Sequence, residues 1–444
     1  MSITQTLDVD NARSASALRN GYTVGLFFLC FVFSYIDRQI VSILVQPIKA
    51  TLALSDTQIG LLQGFAFTLC YATAGVVVAR LVDRTHRVRL IAVCVAIWAL
   101  CTALCATADS FSELLFWRAG TAIAEAGLSP AVLSIFADLY SPRKVSRPTS
   151  IFMLGPYIGS GVALAGGGLL LGWLSHTEGL VDVLGIALHP WQFIFLTVGL
   201  AGLPLAFLVA FSVREPARTE SMALASGEVA EQAPPMKAVL KELFVRNRFC
   251  TPYFLAYMSL ITLFYSHTAW FATLLIRKYA MEASQVGKLA GPLYMLGGIC
   301  GVMFARYLGS RMSDQQTVPK ALKTSALASC ALIPLALFAP LLPTFGWNIA
   351  AYALCAFSAS IVMALAPIPV QVAIPNRMRG RSIALLVFLT NIVGGGIGPF
   401  AVGYLTQSMP GVENSLGIAL SGVGVTAALL STLLYFVAAR RAQA

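Results

Sequence analysis

Twelve apolar runs, near residues 21–47, 56–80, 89–108, 112–138, 149–173, 191–213, 250–276, 285–309, 320–341, 347–373, 382–406 and 415–438, are separated by charged residues or Pro/Gly/Asn punctuation. Each reaches the roughly 20 residues that a helix needs to cross the hydrocarbon core of a bilayer. Lipid offers no water to a stray N–H or C=O, so a spanning segment must close its backbone bonds internally. The pattern predicts an all-α membrane protein of twelve transmembrane helices. Composition agrees: charged residues are 11% of the 444, under half the roughly 25% of soluble domains, and mean hydropathy is +0.78. Disordered, disulfide-rich secreted and ordinary cytosolic classes are excluded. All nine cysteines lie in or at the ends of apolar runs with no Cys-x-x-Cys, so they are expected to pack rather than to bind metal or pair. The first twenty residues are polar and lack a signal-peptide pattern, so span 1 is expected to be its own insertion signal.

The net charge of +11 is a topology signal. With the N-terminus inside, 24 of the 30 Lys and Arg fall on the cytosolic side, including Arg80, Arg84, Arg87, Arg143, Arg147, Arg377, Arg381 and Arg440. Only Lys49, Arg277, Lys278 and Lys288 fall outside, while Arg38 and Arg118 lie within spans. By the positive-inside rule, both termini are expected in the cytosol of a multi-pass protein of the inner or plasma membrane. Nucleic acid is not an expected partner.

Residues 214–248 form the one long polar stretch between spans, which predicts two six-helix bundles, 1–213 and 249–444, joined by a cytosolic linker. The halves echo each other at a displacement of about 231 residues: Asp83 in Ala79-Arg80-Leu81-Val82-Asp83-Arg84 falls on Asp314 in Ser310-Arg311-Met312-Ser313-Asp314-Gln315. Pro142 with Arg147 before span 5 is echoed by Pro375 with Arg381 before span 11. Matching echoes in both halves indicate an internal repeat.

These residues resemble the major facilitator superfamily, whose signature after span 2 (Gly-x-Leu-Ala-Asp-Arg-x-Gly-Arg-Arg) reads here as Ala79-Arg80-Leu81-Val82-Asp83-Arg84-Thr85-His86-Arg87-Val88-Arg89. The span 4 pattern appears as Arg118-Ala119-Gly120-Thr121-Ala122-Ile123-Ala124-Glu125-Ala126, with alanine at both later glycine positions. Within the superfamily, Asp37-Arg38, Leu54-Ser55-Asp56-Thr57-Gln58-Ile59-Gly60-Leu61-Leu62 and Glu125-Ala126-Gly127-Leu128-Ser129-Pro130 resemble the Spinster branch. The resemblance implies the major facilitator fold, with two pseudo-symmetric bundles around a midplane cavity. It also implies an inner latch at Asp83, Arg84, Arg87 and Asp138, whose ion pairs form when the inside is closed. Gly155-Pro156-Tyr157-Ile158-Gly159 resembles a pattern of exporting members and supplies close packing and a bending point; direction stays open.

Independently of any family, Asp37, Arg38, Arg118 and Glu125 lie inside spans. At roughly +2.5 to +3.5 kcal/mol each, their insertion would cost on the order of 10 kcal/mol before pairing. At about 1.5 Å per residue, Asp37 and Glu125 share a level roughly 15–20 Å below the outside. Arg118 and Glu125, seven apart, share a helix stripe, whereas Asp37 and Arg38 diverge by about 100°. The expected arrangement has Arg38 or Arg118 holding Glu125 while Asp37 faces water or another polar group. Guanidinium keeps its proton, so only Asp37 and Glu125 can couple protons. If an Arg swings to an anionic substrate head, the released carboxylate takes a proton; the alternative is a static, neutral cluster tying spans 1 and 4.

His267 falls 230 residues after Asp37. It is expected either to meet substrate across the cavity or to pack through a hydrogen bond. Tyr35, Tyr71, Tyr157, Trp270, Tyr294 and Asn391 are further candidate lining residues. The Spinster resemblance implies a proton-coupled secondary transporter that moves an amphipathic lipid, a lysophospholipid or sphingoid phosphate, by alternating access. Arg38 or Arg118 would meet the head, with His267, Tyr157 and Asn391 as further substrate contacts. Partners are then that lipid, protons and membrane lipids; no cofactor or metal is called for, and a monomer is expected. A proton-linked carrier of small organic anions or hydrophobic drugs is the alternative. A membrane-embedded hydrolase or acyltransferase would need a nucleophile with a base, or metal ligands, at membrane depth, and one isolated His argues against it.

Overall fold

Twelve helices long and apolar enough to cross a membrane are present in the computed structural model, which describes residues 3–141, 144–174, 180–183, 185–218, 234–312 and 316–443. They are α1 (Leu18–Leu52, continuing a helix that begins at Ile3), α2 (Asp56–Arg84), α3 (Arg87–Thr107), α4 (Phe111–Leu139), α5 (Ser146–Leu174) and α6 (Pro190–Ser212). After the linker come α7 (Cys250–Tyr279), α8 (Ala283–Ser310), α9 (Thr317–Leu341), α10 (Phe345–Ala373), α11 (Arg377–Gln407) and α12 (Ser415–Arg441). The twelve runs read from sequence each coincide with one helix. Several helices extend a turn or more beyond their runs, because charged ends such as Arg84 and Arg377 remain helical past the apolar stretch. Pro142, Arg143, Asp314 and linker residues 219–233 lie outside the described residues.

Local chemistry sets the ends and breaks. Ser55 and Gln58 form a reciprocal capping box at the start of α2, with Ser55 Oγ accepting from the Gln58 N–H at 3.2 Å and Gln58 Oε1 from the Ser55 N–H at 2.9 Å. Ser110 caps α4, its Oγ accepting from the Glu113 N–H at 3.3 Å, while Glu113 Oε2 accepts from the Asp109 N–H at 2.9 Å. Gly64 interrupts α2, and Ala126-Gly127 interrupts α4 directly after Glu125. In α11 the segment Thr390–Gly396 is a π-helix, a local widening that recurs at functional sites. A two-stranded hairpin, β1 (Val181–Val183) with β2 (Ile186–Leu188), links α5 to α6.

An even number of crossings puts both chain ends on one face, the terminal face. Toward the opposite face a single apolar core runs through both halves and includes Ile40, Ile43, Leu62, Leu164, Trp191, Trp270, Val286 and Tyr352. Toward the terminal face it splits in two. Phe27, Trp98, Ile135 and Phe136 belong to one core built from α1–α6, and Tyr253, Leu260, Leu322 and Tyr435 to another built from α7, α9–α12 and the linker. The halves are therefore welded on one side and separate on the other.

Glycines make the weld possible. In the α5–α8 seam, a Cβ on Gly161 would meet the Gly291 carbonyl oxygen at 2.9 Å. In the α2–α11 seam, a Cβ on Gly60 would meet the Pro399 carbonyl oxygen at 2.5 Å and Phe400 Cα at 3.0 Å. Backbones this close leave no room for a side chain. Gly60→Val is expected to hold the opposite face apart. Maleimide labelling of Gln407→Cys from that face should then rise severalfold, and equal labelling with and without Gly60→Val would reject the seam as the seal.

Candidate functional site

Helix periodicity brings the four intramembrane charges together as two ion pairs. On α1, Ser34 and Arg38 are one turn apart on one stripe, and Asp37 is turned about 100° from Arg38. Helical side chains lean toward the helix N-terminus, so the long Arg38 reaches back one turn, where its Nε donates to Glu125 Oε2 at 2.5 Å. Ser34 Oγ donates to the same oxygen at 3.0 Å. Asp37 takes the other stripe, where its Oδ1 accepts from Arg118 Nη1 at 3.0 Å. Of the two expected surroundings, water or another polar group, Asp37 has the second. It is 2% exposed and neutralised by Arg118, because antiparallel α4 offers Arg118 and Glu125 two turns apart, one to each α1 stripe.

Each pair keeps spare capacity. Glu125 Oε1, Asp37 Oδ2 and Arg118 Nε are buried without a hydrogen-bond partner among the described residues. The Arg38 side chain is 14% exposed against 0% for Glu125. Its guanidinium lies 4.3 Å from the Tyr71 ring centroid and 5.1 Å from those of Tyr35 and Phe67. Desolvated cation–π contacts of this kind are worth roughly 0.5–2 kcal/mol each, so the rings steady Arg38 without consuming its donors.

Arg38 and Arg118 line a cleft between the halves, together with Gln39, Gln63, Phe67, Thr68, Tyr71, Tyr265, Thr268, Ala269, Asn391 and Pro399. Asn391 is thus in the cleft, presented by the π-segment of α11. His267 and Tyr157 are not among its lining residues. His267 is buried with Nδ1 3.0 Å from the Leu263 carbonyl oxygen, and its ring packs against Gly424 of α12. The 230-residue displacement fixed its depth but not its rotation about α7. Tyr157 is buried in the α5–α8 seam against Gly298, 6.5 Å from the Tyr294 ring centroid. Sequence reasoning missed Gln39, Gln63, Phe67, Thr68 and Tyr265, since polar and aromatic residues on a helix give no sign of which side meets a cavity.

The opposite face carries a second polar assembly, also missed. Asp56 accepts from Arg277 Nη1 at 3.0 Å and Nη2 at 2.6 Å, a two-pronged bridge between halves, and from Lys49 Nζ at 2.5 Å. Its signal was in plain view: Lys49 and Arg277 are two of the few basic residues assigned outside, and Asp56 opens the helix between them. Further cross-half bonds join Gln39 Nε2 to the Thr268 carbonyl at 2.6 Å and Thr273 Oγ1 to the Ser42 carbonyl at 3.3 Å. Thr57 is bonded to Gln407.

At the terminal face, the four residues expected to latch the halves fall within the N-terminal half. Arg87 is 1% exposed. It donates to Asp138, to Ser134 Oγ at 2.9 Å and to Glu215 Oε1 at 2.6 Å, which ties the start of α3 to α4 and to the segment after α6. Asp83 and Arg84 are exposed. The Asp83 backbone carbonyl, with those of Val82 and Thr85, is capped by Arg218, which satisfies the orphan acceptors at the C-terminal end of α2.

The sequence model of the Major Facilitator Superfamily matches residues 27–399. The chain belongs to that superfamily. It is 28% identical over 443 residues to an MFS-type efflux pump of Mycolicibacterium smegmatis, covering 98% of this chain and 96% of that one. It is 24% identical over 280 residues to a probable L-galactonate transporter of Escherichia coli, covering 61% and 58%. Its fold is similar to the crystal structure of a bacterial homolog of the human lysosomal transporter Spinster, in an inward-facing and unoccupied conformation. That match has a TM-score of 0.77 and 22% identity, covering 95% of this chain and 97% of that one.

As a major facilitator the chain is a multi-pass secondary transporter working by alternating access, and not an enzyme. One welded face and one divided face are what a single stage of that cycle requires, and the Asp56 bridge sits on the welded side. Removing its charge leaves Lys49 and Arg277 facing each other. Asp56→Asn is expected to shift the population toward opposite-face opening by about tenfold, the equivalent of ~1.4 kcal/mol. Distances between spin labels at Ser55 and Ser408 read this directly, and an unchanged distribution would leave the seal to the apolar seams alone.

Proposed function

We propose that the protein is a proton-coupled transporter of an amphipathic lipid with an anionic head, of the lysophospholipid or sphingoid phosphate class. The observation that carries this reading is the Arg38–Glu125 pair at the cleft wall, in which the cation is partly exposed and the acid is not. An anionic head entering the cleft competes with Glu125 for Arg38. A carboxylate that loses its guanidinium partner in a low-dielectric site becomes too costly to keep charged. It takes up a proton, so cargo and proton loading are linked. Asp37 is likewise held by a guanidinium, that of Arg118, with both partners buried, and is the second proton-coupling candidate. The motif resemblance to the Spinster branch, which implies a lipid cargo, supports the lipid class. The apolar walls on either side of the divided terminal face would receive the tail.

A second reading, a proton-linked carrier of small organic anions or hydrophobic drugs, is favoured by the efflux-pump and L-galactonate relatives. The same charge exchange serves an anion without a tail. In liposomes, lysolipid flux that responds to an imposed pH gradient supports the first reading, and gradient-driven flux of small anions alone supports the second.

In either case Glu125→Gln should abolish gradient-driven flux while retaining more binding than Arg38→Ala. Glutamine keeps the shape and the Ser34 contact but cannot exchange a proton. Unchanged pH-dependent flux in Glu125→Gln would remove Glu125 from the coupling role.

A further inference from the structure

Four uncharged polar residues of the cleft lining are oriented so that each keeps an oxygen free to accept. The Thr268 carbonyl has no hydrogen to give, so the Gln39 amide atom 2.6 Å from it is the nitrogen. Its second hydrogen goes to Ser42 Oγ at 3.0 Å, a hydroxyl whose own hydrogen is spent on the Gln39 carbonyl at 2.7 Å. Gln39 therefore has only Oε1 left for a ligand. Asn391 Nδ2 donates one hydrogen to the Val387 carbonyl at 2.8 Å, which orients that amide and leaves Oδ1 to accept beside the second N–H. The Thr68 hydroxyl donates to the Gly64 carbonyl at 2.9 Å and that of Thr268 to the Tyr265 carbonyl at 3.2 Å, so each keeps only lone pairs. Donors in the same cleft come from Arg38 and Arg118, from the Gln63 amide nitrogen, which is buried without a partner among the described residues, and from the hydroxyls of Tyr71 and Tyr265.

A ligand that offers only negative charge and hydrocarbon would satisfy the guanidiniums and strip water from four oxygens without replacing it. Leaving acceptors unpaired on burial is costly, and a site built to pair polar groups discriminates strongly against analogues that lack them. We infer that the substrate's anionic group is flanked by its own O–H or N–H donors, which are read by Gln39, Asn391, Thr68 and Thr268. The substrate is a hydroxy- or amino-bearing anion, whether the head of a lysolipid or a free polyhydroxy acid. This rests on the reading that an anion meets Arg38 and Arg118, and adds a specificity that the charges cannot supply.

The test uses two ligands alike in tail and phosphate: oleoyl lysophosphatidic acid, with its free glycerol hydroxyl, and the same molecule with that hydroxyl replaced by hydrogen. Glycerol 3-phosphate and its 2-deoxy counterpart repeat the comparison without a tail. The purified full-length protein is expected to bind the hydroxylated member of at least one pair about tenfold more tightly. Discrimination within the tailed pair identifies a lipid source, and within the tailless pair a free anion. Asn391→Leu and Thr268→Val should each shrink the ratio toward one by weakening the hydroxylated ligand, with the deoxy ligand little changed. Equal binding of both members by the parent protein overturns the donor requirement while leaving the anion site standing. No binding of any of the four overturns both. The parent comparison decides the matter even where a variant fails to fold.

Discussion

Charge inside lipid has to be neutralised where it sits, and this constraint organises the N-terminal half. Asp37, Arg38, Arg118 and Glu125 sum to zero, yet their wiring goes beyond neutrality. Two adjacent residues on α1 point along different stripes and meet two residues of α4 that are two turns apart on one stripe. The result is two pairs in place of one four-membered knot, with Arg38 pulled toward the cleft and its acid buried behind it. A neutral cluster built only for stability would gain from burying all of its members equally. Exposure of one cation is what lets an incoming anion change the electrostatics of the rest.

The same economy of contact governs the movement between halves. Glycines at Gly60, Gly64, Gly161, Gly287 and Gly291 let backbones touch across the two seams. Such surfaces interlock without long side chains to disentangle. Near the opposite face the seams are supplemented by the Asp56 bridge, a polar contact that can be broken and re-formed at modest cost because it is only half-buried. On the terminal side no comparable weld is present among the described residues, and each half instead has its own apolar core. Arg87, with its acid partners Asp138 and Glu215, keeps the loops of the N-terminal half rigid there, so that half can move as a body.

The twelve spans and the identity of the charged residues were legible in the chain. Each depends on a strong one-dimensional signal: a run of apolar residues, or an ionisable residue where lipid penalises it. Depth was legible too, since rise per residue is constant. Rotation was not. His267 reaches the depth its repeat position implies but turns toward Gly424, and Tyr157 fills the α5–α8 seam. Gln39 and Thr268, unremarkable in the sequence, meet across the halves at 2.6 Å.

The sequence by itself determined that this chain crosses a membrane twelve times and carries two acids and two guanidiniums at its middle, because the penalty for exposing backbone or charge to hydrocarbon is paid residue by residue. Only the tertiary structure decided which acid holds which guanidinium, which polar oxygens face the cleft, and which face is sealed. Those outcomes depend on how helices are rotated and packed against partners hundreds of residues away, and neighbours of that kind leave no local trace in the chain.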